Sequence, residues 1–407
     1  MSENERVDAF LRTLPPTTTQ GEQSHNTRKG LIKQIQDTRK SKVIVYFTGD
    51  RQLANARIAE DAVRPLYDHL LSIGKTSKID LYLYSRGGDV SVPWRIITMF
   101  REFCDELTVI VPYKAQSAAT LISLGADKIL MGKKAELGPI DPTLVKTSAA
   151  ESGSSQQEIS IEDVNSFLSF IREKGHITDQ VALSQVICML ANQLTPLTLG
   201  NVSRTNSHIR LVARKMLASR KEKLEEAKIN SIIETLTEKI YSHGHAIGRK
   251  EAVEIGLPVE LPDDALETII WQLFLEYEQL LKLNDPIDPM VVLTGQEEAH
   301  LPDTPMAVLE SENILHALKA QIDLKKVRQI PPNAQINLNV NLNLPANIRI
   351  EDIPQQAQQI LQQMVNQVTQ SLPRVVQQEI ARQSPEVGLN IRAYGGKWRR
   401  YTNEDLT

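Results

Sequence analysis

Short apolar runs alternate with amphipathic helical segments over the first third of the chain. The strongest runs are VIVYF at 43–47, the alternating IDLYLY at 79–84, VIV at 109–111 and ILM at 129–131. Such short runs, rich in β-branched and aromatic residues, predict buried strands. Between them, apolar residues recur at helical spacing over 55–73, 92–103 and 118–124. Strands that alternate with helices predict an α/β fold whose core is a parallel sheet with right-handed crossover helices.

Two polar segments follow neighbouring predicted strands. SRGGD at 85–89 follows the strand at 79–84, and AQSAAT at 115–120 follows the strand at 109–111. Because functional loops gather at the carboxyl ends of parallel strands, we expect these two segments to lie close together. Gly87 and Gly88 allow close approach of the backbone and direct N–H groups into a cleft. With the N–H that follows Ser117, they would form an oxyanion hole.

Ser117 lies where a predicted strand ends and a helix begins. A hydroxyl at this position is held close to the free N–H groups of a helix N-terminus, which stabilise a developing negative charge. A serine at such a turn is most often only a helix cap. The glycine pair at the neighbouring strand end favours the interpretation that Ser117 is a nucleophile.

The pattern divides the chain into four predicted regions. These are a polar N-terminal arm over 1–40, a core domain over 41–262, a helical extension and connector over 263–330, and a glutamine-rich α+β module over 331–407. The module is predicted from an amphipathic strand at 336–344, a helix at 353–383 and a second strand at 389–401. It has no catalytic constellation, so we interpret it as an assembly or partner-binding module.

Other elements are predicted with less distinctive patterns. We predict a flexible loop over 146–160, helices over 161–175 and 180–194, and one long helix over 208–241. Asp263 or Asp264 caps a helix that continues to Leu283. Within 290–330 we predict a strand over 306–309 and a helix over 313–327.

Composition narrows the functional classes. The 407 residues carry a formal net charge of −4, which argues against nucleic-acid binding as the main role. Cys104 and Cys188 form neither a disulfide framework nor a zinc-binding spacing. We see no signal peptide and no apolar run long enough to span a membrane. We therefore expect a cytoplasmic protein without a membrane span, a metal or a cofactor.

Three stretches resemble the serine dehydrogenase proteinase family of the Clp/crotonase superfamily, related to signal peptide peptidase A. They are YLYSRGGDV at 82–90, VPYKAQSAATLISLGADKILMGKKAELGPIDP at 111–142, and YSHGHAIGRKEAVEIGLPVE at 241–260. The resemblance implies a Clp/crotonase-like core, a polypeptide substrate and a homo-oligomer. It also implies that Ser117 is the nucleophile and that the N–H groups of Gly88 and Ala118 are the oxyanion donors.

The proton acceptor departs from the Clp pattern. The Clp proteolytic subunit has a histidine where this chain has ELGPIDP at 136–142. Relatives of signal peptide peptidase A use a lysine instead, and Lys174 lies near the expected distance, although a surface role is common for any single lysine. His243 is a second candidate base, and its HGH segment could alternatively form a structural turn or bind a metal. Arg86 stands where many relatives have proline, and it either tunes the anion-binding corner or is simply exposed.

Three functions remain open at this point. The first is an ATP-independent serine peptidase that forms an acyl-enzyme at Ser117 with a Ser-Lys type of base. The second is a catalytically inactive oligomeric scaffold that recruits a partner through its C-terminal module. The third is a crotonase-like acyl-CoA enzyme, which would use paired carboxylates beside an oxyanion hole. It ranks last, because Asp127, Glu136 and Asp141 are the only acids near Ser117 in the sequence and a nucleotide-binding signature is missing.

Overall fold

The computed structural model describes residues 21–140, 143–150, 153–240, 244–329, 354–357 and 383–401, with single positions and short runs between 359 and 380. Its contacts divide the chain into two units. The first unit comprises Met1–Pro286, Thr304–Ala320 and Gly395–Thr407. The second comprises Ile287–Asp303 and Gln321–Tyr394.

Five parallel strands form the centre of the first unit. Across the sheet their order is Val259–Glu260, Lys128–Met131, Cys104–Val111, Thr76–Tyr84 and Lys42–Thr48. Beyond Lys42–Thr48 the sheet continues with the antiparallel segment 304–311, then 315–320 and 395–401. Four of the five parallel strands coincide with the four predicted apolar runs. The α/β fold with a parallel core is therefore confirmed.

Helices cover both faces of this sheet. The helices described in the first unit are Gly21–Arg39, Val63–Ile73, Val92–Arg101, Ala118–Leu124, Ile161–Ser169, Gln180–Gln193, Pro196–Ser219, Glu226–Glu234, Arg249–Ile255 and Asp264–Leu280. Ile44 and Tyr46 pack into the core cluster on one face, whereas Val43 and Val45 pack into the cluster on the other. Because each face of the strand is buried, its sequence is continuously apolar rather than alternating.

Two predicted features between residues 140 and 241 were wrong. The predicted loop at 146–160 is an antiparallel pair of strands, Thr143–Ala150 and Gly153–Ser160. Its small polar composition is typical of loops, but its backbone forms the ladder of an antiparallel pair. The predicted long helix ends at Ser219, because Arg220 adopts an extended conformation, and a second helix begins at Glu226. A π-helical turn, Thr235–Lys239, follows that second helix.

The predicted helix over 313–327 was also wrong. That segment lies in the strand Leu315–Arg328, which follows the strand Glu298–Ser311. The Ser311 N–H donates to the Ile314 carbonyl at 2.9 Å, so a tight turn connects the two. The leucines, alanines and lysines of this segment favour a helix in isolation, but strand pairing outweighs that weak preference.

The C-terminal region is described in part. The strand Glu386–Tyr401 contains the predicted strand at 389–401. The predicted strand at 336–344 lies outside the described residues, and the predicted helix at 353–383 is described only at scattered helical positions. In the second unit a short helix, Pro289–Val292, begins after Asp288, and Arg328 pairs with Glu297 at 2.8 Å.

Within the described ranges, no single helix has both the length and the apolar character to cross a membrane. The bent pair Gln180–Asn192 and Pro196–Ser219 meets that test by length and composition when its two parts are taken together.

Candidate active site

Ser117 is the residue that precedes the short helix Ala118–Leu124, which we call the serine helix. Its backbone has φ of 51° and ψ of −115°. A positive φ is uncommon for a residue with a side chain and stores strain that the surrounding structure must hold. The Ser117 side chain caps no backbone group of the helix. The simple interpretation of this serine as a helix cap therefore does not account for its geometry.

Buried contacts fix the serine helix in place. The Thr120 hydroxyl lies 2.8 Å from the carbonyl oxygens of both Ala115 and Gly138, and it accepts the Gly138 N–H at 3.1 Å. Thr120 is fully buried, as are Ala118 and Ala119. A buried hydroxyl that contacts the strand before Ser117 and the loop at 137–140 holds these three segments in one arrangement.

The SRGGD segment at 85–89, which we call the glycine loop, lies beside the AQSAAT segment at 115–120, which we call the serine turn. This is the arrangement predicted from the ends of the two preceding strands. The Ser85 N–H donates to the Lys114 carbonyl, and the Gln116 N–H donates to the Ser85 carbonyl, both at 3.0 Å. The buried Ser85 hydroxyl also accepts the N–H of Gly87 at 3.0 Å and the hydroxyl of Thr48 at 2.8 Å. This ladder fixes the start of the glycine loop against the serine turn.

Both glycines are required by the local geometry. A Cβ on Gly87, whose φ is 113°, would lie 2.8 Å from the Cβ of Ser117. A Cβ on Gly88, whose φ is 155°, would lie 2.6 Å from the Ile58 nitrogen and would collide with the Ile58 carbonyl oxygen. Ile58 holds the loop because its N–H donates to Gly87 and its carbonyl accepts the Asp89 N–H, both at 2.8 Å.

We call the place where the glycine loop meets the serine turn the Ser117 corner, and two backbone N–H groups belong to it. Among the described residues, neither the Gly88 N–H nor the Ala118 N–H donates a hydrogen bond. The next N–H groups of the serine helix are occupied, since Ala119 donates to Gln116 at 2.9 Å and Leu121 donates to Ser117 at 3.0 Å. Unpartnered donors beside a half-buried serine are what an oxyanion hole requires.

Of the two candidate bases, the structure describes Lys174 and not His243. Lys174 is exposed on the π-helical turn Phe170–Lys174 and forms no hydrogen bond or ion pair with the described residues. His243 lies outside the described residues. The Ser117 hydroxyl has no hydrogen-bond partner in the described part of the chain. The roles of Lys174 and His243 therefore stay predictions.

The segment that follows His243 does reach this region. Ile247 forms an antiparallel bridge with Leu137, with N–H to carbonyl distances of 3.0 and 2.9 Å. His245 pairs instead with Glu251 at 2.9 Å. Within the described ranges, no three His, Cys, Asp or Glu side chains form a metal-binding group.

A charged cluster beside the corner was missed from the sequence. Asp50 receives the Tyr84 hydroxyl at 2.9 Å and the Lys114 ammonium at 3.2 Å, and the Arg86 Nε lies 3.7 Å away. Burial raises the pKa of the Tyr84 hydroxyl, and the Asp50 charge raises it further. Because Asp50 is distant in sequence from the other three residues, no local spacing in the sequence predicts the cluster. We call these four residues the Asp50 cluster.

Comparison with known proteins places part of the chain in a protein family. Residues 9–194 match the model of the ClpP-like SDH-type serine proteinases, which confirms the resemblance found in the sequence. An uncharacterized protein of Methanocaldococcus jannaschii is 28% identical over 225 residues, which are 55% of this chain and 66% of the relative. A second uncharacterized protein of that organism is 39% identical over 72 residues, or 18% of this chain and 25% of the relative. The chain thus matches less than two thirds of the length of these relatives.

Solved structures of proteases were also found, at low overall similarity. A membrane-bound stomatin-specific protease is 17% identical with a TM-score of 0.31, over 55% of this chain and 82% of the other. ClpP1 from Listeria monocytogenes is 14% identical with a TM-score of 0.30, over 58% of this chain and 99% of the other.

Proposed function

Since residues 9–194 match a family of ClpP-like serine proteinases, we propose that this chain is an ATP-independent serine peptidase with Ser117 as its nucleophile. One observation carries the proposal: a strained serine lies at a helix entrance beside the open N–H groups of Gly88 and Ala118. Strain of this kind is retained where the surrounding structure enforces it, and it concentrates at functional sites.

In this proposal the Ser117 oxygen attacks the carbonyl carbon of a peptide bond, and the hydroxyl proton passes to a base. The carbonyl oxygen becomes an oxyanion that receives hydrogen bonds from the Gly88 and Ala118 N–H groups. The intermediate then collapses, the amine leaves with the proton from the base, and an acyl ester remains on Ser117. Water hydrolyses the ester and restores the free serine.

Lys174 is the proposed base, as the resemblance to signal peptide peptidase relatives implies. A lysine accepts a proton only when its amine is neutral, and burial lowers a lysine pKa toward that state. Because Lys174 is exposed in the single chain, substrate or a second chain must cover it for this role. His243 is the alternative acceptor. We also propose a homo-oligomer, which light scattering of the purified chain would test.

Hydrolysis of a panel of internally quenched peptides tests the proposal. We expect the wild type to cleave at least one peptide and Ser117→Ala to lose that activity. Ser72→Ala is the matched control, because Ser72 is exposed on the helix Val63–Ile73 and should leave cleavage unchanged. Equal cleavage by wild type and Ser117→Ala would reject Ser117 as the nucleophile.

A second candidate function is an inactive oligomeric scaffold that recruits a partner through its C-terminal module. The observation that favours it is that no titratable side chain among the described residues forms a hydrogen bond with the Ser117 hydroxyl. The scaffold predicts no cleavage by any variant and an unchanged oligomer in Ser117→Ala. Loss of cleavage in both Lys174→Gln and Ser117→Ala, with the oligomer intact, would favour the peptidase.

A further inference from the structure

Arg86 directly precedes the glycine pair that contacts Ser117. The Arg86 side chain is 62% exposed, although its neighbour Gly87 lies so close to Ser117 that an added Cβ would collide with it. A long cationic side chain is thus attached next to the open corner and reaches into solvent there.

The Arg86 guanidinium is held only loosely. Its one ion pair, among the described residues, joins its Nε to an Asp50 oxygen at 3.7 Å, which is too long for a hydrogen bond. Other exposed arginines donate hydrogen bonds to carboxylates, as in the pairs Arg95–Glu60 and Arg64–Asp68. The N–H donors of Arg86 are therefore available to another acceptor.

Asp50 is already paired with two donors other than Arg86. Its carboxylate is 14% exposed and already receives the Tyr84 hydroxyl on one oxygen and the Lys114 ammonium on the other. Glu278 also lies nearby, and burial together with the Asp50 charge raises its pKa. The half-buried Glu278 is thus a second carboxylate near Asp50, but it pairs with neither Arg86 nor Lys114 among the described contacts.

A purely structural role for Arg86 is weakly supported. An exposed ion pair of this length contributes about 0–1 kcal/mol. The glycine loop is fixed by backbone contacts to Ile58 and by the Ser85 hydroxyl, which do not involve the Arg86 side chain. The loop does not depend on Arg86 for its position, so the guanidinium is free to act on a ligand.

We propose that Arg86 is a specificity-determining residue that binds a carboxylate of the substrate next to the scissile bond. Arginine suits this role because its planar fork of donors matches the two oxygens of a carboxylate. The preferred substrate is thus a polypeptide with an acidic side chain beside the cleaved bond. A free C-terminal carboxylate offers the same chemistry. This inference rests on the proposed function of Ser117.

Matched peptides test the proposal on the full chain. Each pair differs by one Glu in place of Gln at a position near the cleaved bond, and each peptide is made with a free and with an amidated C-terminus. We expect kcat/KM of the wild type to be about tenfold higher for the Glu member at one position, mostly through KM. A preference for free over amidated ends, without a Glu preference, would assign the site to a terminal carboxylate and reject the side-chain form.

Variants identify the residue responsible. Arg86→Gln should remove the preference, so that the Glu and Gln members of a pair are cleaved with equal kcat/KM, whereas Arg86→Lys should retain part of the preference. Arg95→Gln is the matched control, because Arg95 is exposed but hydrogen-bonded to Glu60, and it should keep the full preference. Equal rates for Glu and Gln peptides in the wild type together with equal rates for free and amidated ends, or a preference that survives Arg86→Gln, would overturn the proposal.

A binding measurement separates this proposal from the proposed function. Fluorescence anisotropy of labelled Glu and Gln peptides on the Ser117→Ala variant needs no turnover. Tighter binding of the Glu peptide that is lost on adding Arg86→Gln supports the carboxylate site even if no peptide is cleaved. Equal binding of both peptides rejects the site even if Ser117 proves to be an active nucleophile.

Discussion

The first unit contains the Ser117 corner and a buried group of His25, Arg28, Tyr277 and Glu310, which we call the Glu310 cluster. The two differ in whether their polar groups have partners within the protein. At the corner, the N–H groups of Gly88 and Ala118 have no partner among the described residues. In the cluster, the buried Glu310 carboxylate receives the Arg28 Nε at 2.8 Å and the Tyr277 hydroxyl at 2.7 Å. His25 lies 3.1 Å from its second oxygen.

The presence or absence of partners within the protein distinguishes the polar groups that stabilise the fold, as in the Glu310 cluster, from those that we propose bind a substrate, as at the Ser117 corner. Burial by itself would raise the pKa of the Glu310 carboxyl, but the Arg28 charge and the hydrogen bonds around it lower that pKa to about 2. The charge of Glu310 is neutralised by a cation of the fold itself and is fully buried, so it is not presented to a ligand. The corner instead keeps open donors and a strained serine, which is the arrangement that the proposed oxyanion hole requires.

The largest effect is expected from breaking the Glu310 cluster. Arg28→Met leaves the Glu310 carboxylate buried without its cation, so the free energy of unfolding should fall by about 3–5 kcal/mol. Urea denaturation measures this loss. Arg64→Met is the control, because the exposed pair Arg64–Asp68 should contribute less than about 1 kcal/mol. Equal losses in the two variants would contradict the structural role of the cluster.

A substitution in the glycine loop should damage stability and activity together. In Gly88→Ala the new Cβ collides with the Ile58 backbone, so we expect a loss of about 3 kcal/mol and the loss of peptide cleavage. Gly74→Ala is the matched control, since Gly74 has φ of 71° but open space around it. It should cost about 1–3 kcal/mol through backbone strain and leave cleavage intact. Full activity in Gly88→Ala would argue against the oxyanion role of this loop.

The buried His69 extends the comparison, because its protonation makes the free energy of unfolding depend on pH. His69 Nδ1 lies 2.8 Å from the Ser311 hydroxyl, and its Nε2 lies 3.1 Å from His316 Nδ1. Burial, and then the neighbouring His316, lower the pKa of His69 to about 3. In the unfolded chain the His69 imidazole binds a proton near the ordinary histidine pKa of about 6.5, whereas in the folded chain it stays neutral at that pH. The free energy of unfolding therefore falls as the pH falls below about 6.5.

We expect His69 to account for a loss of about 2 kcal/mol between about pH 6 and about pH 4. Asp68 and Glu310 favour the charged form of His69, and Arg400 opposes it. Denaturation at several pH values in wild type and His69→Gln measures the slope. NMR titration of the wild-type imidazole provides a second measurement that does not depend on folding of the variant, and titration near the ordinary pKa would contradict the account.

The smallest effect concerns the backbone of the nucleophile. At Ser117 a glycine relieves the strain of the positive φ, so Ser117→Gly should be more stable than Ser117→Ala by about 1 kcal/mol. At the exposed helical position Ser72 the order should reverse by a similar amount, because glycine is a poor helix former. Thermal unfolding of the four variants measures both differences, and the same order at both positions would show that Ser117 is not strained.

The strands and the serine turn could be predicted because they depend on local patterns. VIVYF, IDLYLY and VIV are buried on both faces, and the carboxyl ends of the strands brought SRGGD to AQSAAT. The hairpin Thr143–Ala150 and Gly153–Ser160, and the strand Leu315–Arg328, could not be predicted in this way. Their conformations depend on backbone pairing with partners that residue preferences do not reveal.

The candidate site shows the same limit. Ser117 and Gly88 were predicted from adjacent motifs, whereas Asp50 entered the site only through contacts with Lys114 and Tyr84 in the folded chain. The base depends on a contact to the Ser117 hydroxyl, and no spacing along the sequence specifies such a contact. Lys174 therefore stays a prediction.

Labelling with a fluorophosphonate probe tests the central claim most directly, because the probe reacts only with an activated serine. Peptide mapping should find the label on Ser117 in the wild type, no label at that position in Ser117→Ala, and unchanged labelling in the surface control Ser72→Ala. The absence of labelling in the wild type at any pH between about 6 and about 10, the range in which a lysine or histidine base would titrate, would contradict the assignment of Ser117 as a nucleophile.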